Sequence, residues 1–164
     1  MTENRKETIE KLNALIKEIR IAMLTTNDGG MLRSRPMATQ DTDFDGILWF
    51  FTSQQTHKAE EIKLDNRVNA SYADPDDNRF ISMSGTAELV DDREKIEELW
   101  SPAYQAWFPK GLDDPNIILL KVNVEQAEYW DATSSSLVEA FGLLKSLVTG
   151  ERANSGDHVM MSLS

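Results

Sequence analysis

The chain has no cysteine among its 164 residues. Disulfides, thiolate metal sites and thiol nucleophiles are therefore excluded, and the absence agrees with a cytosolic setting without establishing it. Long apolar runs are missing too. Ile47–Phe51 and Ile117–Leu120 are the longest, far short of the ~20 residues needed to span a bilayer. Met1 is followed by Thr-Glu-Asn-Arg-Lys-Glu, without the basic and apolar segments of an export signal. The expectation is a cytoplasmic protein with no membrane partner. Basic residues are scarce, 17 Lys and Arg against 28 Asp and Glu. Such a surface repels phosphate backbones, so nucleic acid is not an expected partner. Only two histidines occur, His57 and His158, and neither sits in a metal-ligand spacing. No metal is expected. No Gly-x-Ser-x-Gly elbow, no Gly-x-Gly-x-x-Gly and no P-loop lysine motif is present, which disfavours serine hydrolysis, Rossmann dinucleotide binding and P-loop chemistry.

What is there reads as one domain of ordinary size, large enough to bury a core without staples. Residues 3–19 have helical spacing through Ile9, Leu12, Ile16 and Ile19, with Thr2 as a candidate N-cap. Strands are expected at 21–26, 32–39 and 47–52. Asn27-Asp28-Gly29-Gly30 marks a hairpin between the first two, because Asn and Gly tolerate positive φ. Pro36 lacks an N–H and belongs at an edge or bulge. A short helix follows at 56–64, then strands at 67–73 and 79–89 around the polar turn 74–78. A helix starts at Asp91 or Asp92 and ends near Trp100. A loop-rich stretch covers 102–115, and the longest strand 117–130. A last helix is expected at about 136–148, with Gly150 as its stop, and a polar tail at 151–164. Strands joined by tight turns imply an antiparallel sheet, and six of them with flanking helices can close into a small barrel.

One constellation carries possible chemistry. Arg33 and Arg35 are two apart on a strand and share a face. Thr52 ends a strand, and Thr56-His57-Lys58 opens a helix whose first N–H groups are free and whose end is partially positive. Cations oppose that dipole, but they fit an anion such as a phosphate monoester held between them. The competing reading is surface charge, with Arg33 paired to nearby Asp and Lys58 to Glu60 or Glu61. Trp49, Trp100, Trp107 and Trp130 are open in the same way, between core, interface and ligand stacking.

The segments Met23-Leu24-Thr25-Thr26, Leu32-Arg33-Ser34-Arg35-Pro36-Met37, Trp49-Phe50-Phe51-Thr52, His57-Lys58, Ser84-Gly85-Thr86-Ala87-Glu88, Trp107-Phe108-Pro109-Lys110-Gly111, Glu128-Tyr129-Trp130-Asp131 and Val148-Thr149-Gly150 follow one another in a specific order. In that order the chain resembles the general stress protein branch of the pyridoxamine 5′-phosphate oxidase-like superfamily. The resemblance implies a mainly β (α+β) fold: a six-stranded antiparallel split β-barrel with flanking helices, homodimeric, with residues 1–150 as a single FMN-binding domain. It implies a flavoprotein of oxidoreductase type acting on an unknown substrate or reductant, or else a non-catalytic flavin-binding, buffering or sensing protein. FMN is the expected cofactor, and FAD fits if the Trp107–Gly111 loop leaves the phosphate end open.

By the same resemblance, the strand Arg33, Ser34, Arg35, Pro36 and Met37 contacts the flavin, with Arg33 on its phosphate. Phe51 and Thr52 line the ring edge, and His57 and Lys58 hold the phosphate. Trp130 comes from the second subunit, because the flavin site lies at the dimer interface. The chain departs from the true oxidases where they have lysine (Ala38), glutamine (Phe80) and arginine (His57). After Trp130 it reads Asp-Ala-Thr-Ser-Ser-Ser, without the Arg-x-His that grips pyridoxal. Formation of pyridoxal phosphate is therefore not expected.

Overall fold

The computed structural model describes residues 3–40, 42–131, 147 and 157–163. The helix expected at 136–148 lies outside the described residues except for Leu147, which is helical. Thr2, expected as an N-cap, also lies outside them. Helix α1 runs Glu3–Ile19 and buries Leu12, Leu15 and Ile16. Strands β1 (Ile21–Asp28) and β2 (Met31–Ala38) form the expected hairpin. Its tip is Gly29-Gly30, at φ +59° and +96°, a conformation a side chain would strain. Strand β3 is Ile47–Ser53, and α2 is His57–Leu64. Strands β4 (Arg67–Asp74) and β5 (Arg79–Val90) precede α3 (Arg93–Leu99). Asp92 caps α3, accepting from the N–H groups of Glu94 and Lys95. The stretch expected as loop contains two short 3-10 turns, Pro102–Ala106 and Gly111–Asp113. Strand β6 spans Ile117–Asp131.

Two expectations are corrected. The tail is not simply a polar extension. Asp157–Ser162 forms a seventh strand, β7, antiparallel to the C-terminal half of β6. Leu163 enters the core, and its N–H donates to the Glu125 carbonyl. The sheet is also not a closed six-stranded barrel. Its order is β2-β1-β4-β5-β6-β3, antiparallel throughout, with β7 beside β3 on β6. Among the described residues β2 and β3 form no ladder with each other, so each keeps an unpaired backbone edge. Pro36 sits on the β2 edge strand, where its missing N–H costs nothing.

Alternation decides which face each strand buries. In β1, Ala22, Leu24 and Thr26 point inward while Ile21 and Met23 are exposed. The start of β6 is different, because Ile117–Leu120 are all buried. Leu120 joins the main core, whereas Ile117 and Leu119 face a second cluster with Phe51 and Ile96. A strand covered on both faces reads as a continuous apolar run. β5 carries a bulge between Ser84 and Gly85. A Cβ at Gly85 would lie 2.0 Å from the Asn123 carbonyl oxygen, so only glycine fits there.

Candidate functional site

A cleft of about 410 Å³ opens between the two unjoined edges, within the usual size of small-molecule sites. Pro36, Met37 and Ala38 of β2 line one side, and Phe51, Thr52 and Ser53 of β3 the other. Thr56 and Lys58 at the start of α2 close the polar end, and Tyr104, Trp107 and Phe108 roof the slot. Local chemistry explains this arrangement. Thr56 caps α2 by accepting from the Ala59 N–H at 3.3 Å, which leaves the first amides of the helix beside the cleft. Phe51 anchors the roof through ring contacts to Trp100, Tyr104 and Phe108, at 5.7, 5.2 and 6.4 Å between centroids. Trp107 is 70% exposed and stands over the slot as a free aromatic wall.

Lys58 is the cation on the cleft wall. Its Nζ lies 3.3 Å from the Met37 sulfur. Burial and the nearby Arg35 charge push its pKa down to about 8, and Glu61 offsets only part of this. An ammonium held in such a place gains from an anion brought alongside it.

Behind Lys58 lies a buried carboxylate that the sequence reading treated only as a surface partner. Glu61, on α2, is 3% exposed. It accepts hydrogen bonds from the Thr26 hydroxyl, from Arg35 Nη2 at 2.9 Å and from Arg33 Nη1 at 3.1 Å. Arg35 Nη1 also donates to Thr26 Oγ1 at 2.7 Å. Burial raises the Glu61 pKa, but the Thr26 hydroxyl and the two guanidiniums outweigh it and hold the carboxyl below its ordinary value. The cluster ties α2 to β1 and β2, and so fixes Lys58 against Met37.

The structure thus brings together Pro36, Met37, Phe51, Thr52 and Lys58 on one cleft. It places Arg33 and Arg35 on Glu61, with Arg33 also 3.5 Å from Asp28. Ser34 shares a 2.6 Å hydrogen bond with Thr25. The His57 backbone starts α2. Trp130 is not on the cleft wall of this chain. Its ring stacks on His158 at 5.1 Å and 5°, and His158 Nε2 lies 2.6 Å from Glu128. Gln40, Ile21 and Tyr104 are cleft residues the sequence reading missed. Among the described residues no group of three or more metal-ligating side chains occurs, and no helix is long and apolar enough to cross a membrane.

The fold and cleft define an open antiparallel split sheet with an apolar, cation-ended slot. Residues 7–154 match the sequence profile of the family described as pyridoxamine 5′-phosphate oxidase like, and the chain belongs to that family. It is similar to protein bli-3 of Neurospora crassa, 28% identical over 158 residues, covering 90% of this chain and 76% of that protein. It is also 28% identical over 134 residues to general stress protein 26 of Bacillus subtilis, covering 79% of this chain and 92% of that one. Among solved structures it superposes on the general stress FMN/FAD binding protein of Xanthomonas citri with a TM-score of 0.70. That pair is 30% identical, over 80% of this chain and 92% of the other.

Proposed function

We propose that this chain binds FMN in the cleft between β2 and β3 and acts as a flavin-dependent oxidoreductase on a small molecule still to be identified. The observation that carries the reading is the slot itself: aromatic and apolar along its length, bordered by two unpaired backbone edges, and ended by a desolvated lysine at a helix N-terminus. These groups fit a planar ring with a polar edge and a phosphate tail. Lys58 and the first amides of α2 would hold the phosphate. The open N–H and C=O groups of β2 and β3 would meet the ring edge, and Trp107 and Phe108 would cover it. Arg33 and Arg35 would act through Glu61, keeping α2 and Lys58 in place. The flavin, when bound, supplies the redox chemistry, and the protein supplies position and exclusion of water. The Xanthomonas citri neighbour, described as FMN/FAD binding, supports the cofactor class. FAD would extend past the Trp107 side of the slot. Ala38 and the sequence after Trp130 argue against pyridoxal phosphate formation.

A homodimer is part of the same proposal. The outer sheet face shows Ile21, Met23, Phe80, Trp130 and Met160 exposed. Between them lies a flat field of small polar side chains, where Asn69 donates to Ser82 and Ser84 at 2.9 and 3.0 Å. Ile21, which lines the cleft, is exposed on this face, so a second copy docked there would cover the slot. The deciding experiment is reduction of the FMN-loaded protein by NADH or NADPH, followed by reoxidation with quinone or nitroaromatic acceptors. Turnover supports an oxidoreductase. Tight FMN binding with no turnover on any acceptor would leave a flavin carrier or sensor instead.

A further inference from the structure

A second, smaller cavity of about 170 Å³ adjoins the cleft. Ile16, Lys17, Arg20, Thr39 and Gln40 line it, and Gln40 is common to both linings. It lies past the Ala38 end of β2, whereas Lys58 meets Met37 and Glu61 meets Arg35 further back along the same strand. The cleft therefore has a polar group beyond each end.

Two side chains there have no partner among the described residues. Gln40 is 4% exposed, yet its side-chain amide makes no hydrogen bond among the described residues. Neither amide atom is fully buried, so the amide meets the open space that Gln40 lines and takes its partner, water or a ligand, from there. Arg20 is exposed, and its guanidinium makes no ion pair among the described residues, so it is free to meet an anion at the cavity mouth. Arg20 also holds φ at +69°, a position just past a helix where glycine is the usual occupant. Its backbone is fully used: the N–H donates to Ile16 and the carbonyl accepts from Thr39 at 2.8 Å. That second bond pins Arg20 to the segment carrying Gln40. The remaining lining groups are committed. Lys17 pairs with Asp43 at 2.7 Å, and the Thr39 hydroxyl bonds the Tyr72 hydroxyl at 2.7 Å. A cation suits a helix C-terminus, which accounts for a charge at Arg20 but not for an arginine in a glycine conformation or for the idle amide.

We propose that Arg20 and Gln40 form an oxyanion subsite that receives the carboxylate or phosphate head of an organic acid, whose apolar body reaches into the cleft. A guanidinium fork and an amide N–H suit the two oxygens of such a head. The role as a substrate subsite rests on the flavin reading above; the binding itself does not.

The test is a side-chain NMR titration of the full chain, with and without FMN, following the Arg20 Nε–Hε and Gln40 amide signals. The probes are benzoate, phenyl phosphate and, as a neutral control, benzyl alcohol. Saturable shifts at both side chains with one or both anions, and none with benzyl alcohol, are expected. The stronger anion identifies the head group. Arg20→Gly restores the residue that the backbone prefers, so it should keep or raise Tm while weakening anion binding at least tenfold. Gln40→Leu should weaken it severalfold with the fold retained. Absence of shifts with both anions, equal shifts with benzyl alcohol, or unchanged affinity in a folded Arg20→Gly protein would overturn the proposal. Failure of FMN to bind while the anion shifts persist would overturn the flavin reading and leave the subsite standing.

Discussion

Replacing Glu61 with alanine removes the buried carboxylate that holds α2 against the β1–β2 hairpin. Three donors each lose an acceptor at once: the Thr26 hydroxyl, Arg35, which keeps Thr26 Oγ1, and Arg33, which keeps Asp28. The terms are unequal. The Arg33 side chain is 47% exposed, so water replaces much of what it loses and its share is below ~1 kcal/mol. The Arg35 side chain is 19% exposed, and stripping the partner from a charge so placed costs roughly 3 kcal/mol, the low end for broken buried pairs. Glu61→Ala should therefore destabilise the protein by about 3–4 kcal/mol. Glu61→Gln keeps the shape and one acceptor and should lose about 1.5–3 kcal/mol. Arg33→Ala should lose less than about 1 kcal/mol. Urea unfolding followed by tryptophan fluorescence measures all three. The pH dependence has a definite sign. The folded carboxyl titrates below its unfolded value near 4.5. Its stabilisation is therefore complete above that pH and is lost as the pH falls through the lower, folded value. Wild type should lose stability more steeply than Glu61→Gln below pH 4.5. A Glu61→Ala cost under 1 kcal/mol, or parallel acid profiles, would refute the clamp.

Three further outcomes follow. Lys58→Ala should weaken FMN binding by about 1.5–3 kcal/mol, the worth of a charged hydrogen bond. With its pKa near 8 in the free protein, wild-type affinity should fall between pH 7 and 9.5 as the ammonium deprotonates, and the variant should show no such fall in fluorescence titrations. Gly85→Ala should cost upward of about 2 kcal/mol in urea unfolding, because the new methyl meets backbone rather than a movable side chain. Removing residues 157–164 deletes β7 and the buried Leu163. It should cost roughly 2 kcal/mol for that side chain and change the fluorescence of Trp130 once His158 no longer covers it, both measurable in the same unfolding experiment.

Local signals made much of the fold legible. The Asn27–Gly30 hairpin follows from glycines that accept positive φ, and the edge position of Pro36 follows from its missing donor. The apolar residues of α1 and the Asp92 cap are one-dimensional patterns and were readable as such. What failed depends on distant partners. β7 is short and polar, with Val159 and Met161 as its only half-buried apolar residues, and it becomes a strand because β6 offers an unpaired edge. Barrel closure could not be judged without register, and β2 and β3 in fact stay apart. Glu61 sits in Lys-Ala-Glu-Glu, a pattern that reads as a solvated helix face. Only the packing of α2 on β1 and β2 buries it and draws Arg33 and Arg35 to it. Thr52 and Lys58 stood out as a strand end and a helix start, whereas Met37 and Phe51 came only from the family resemblance; all four line the cleft. Gln40 gave no such signal, since an isolated amide in a loop has no pattern to read.

The central claim is that the cleft ending at Lys58 holds FMN. Titration of the protein with FMN at pH 7, followed by quenching of flavin fluorescence, tests it most directly. The account predicts saturable binding at one flavin per chain, in the low-micromolar range or tighter, weakened at least tenfold in Lys58→Ala. Absence of saturable binding to FMN and to FAD, or equal affinity in the Lys58→Ala protein, would contradict it.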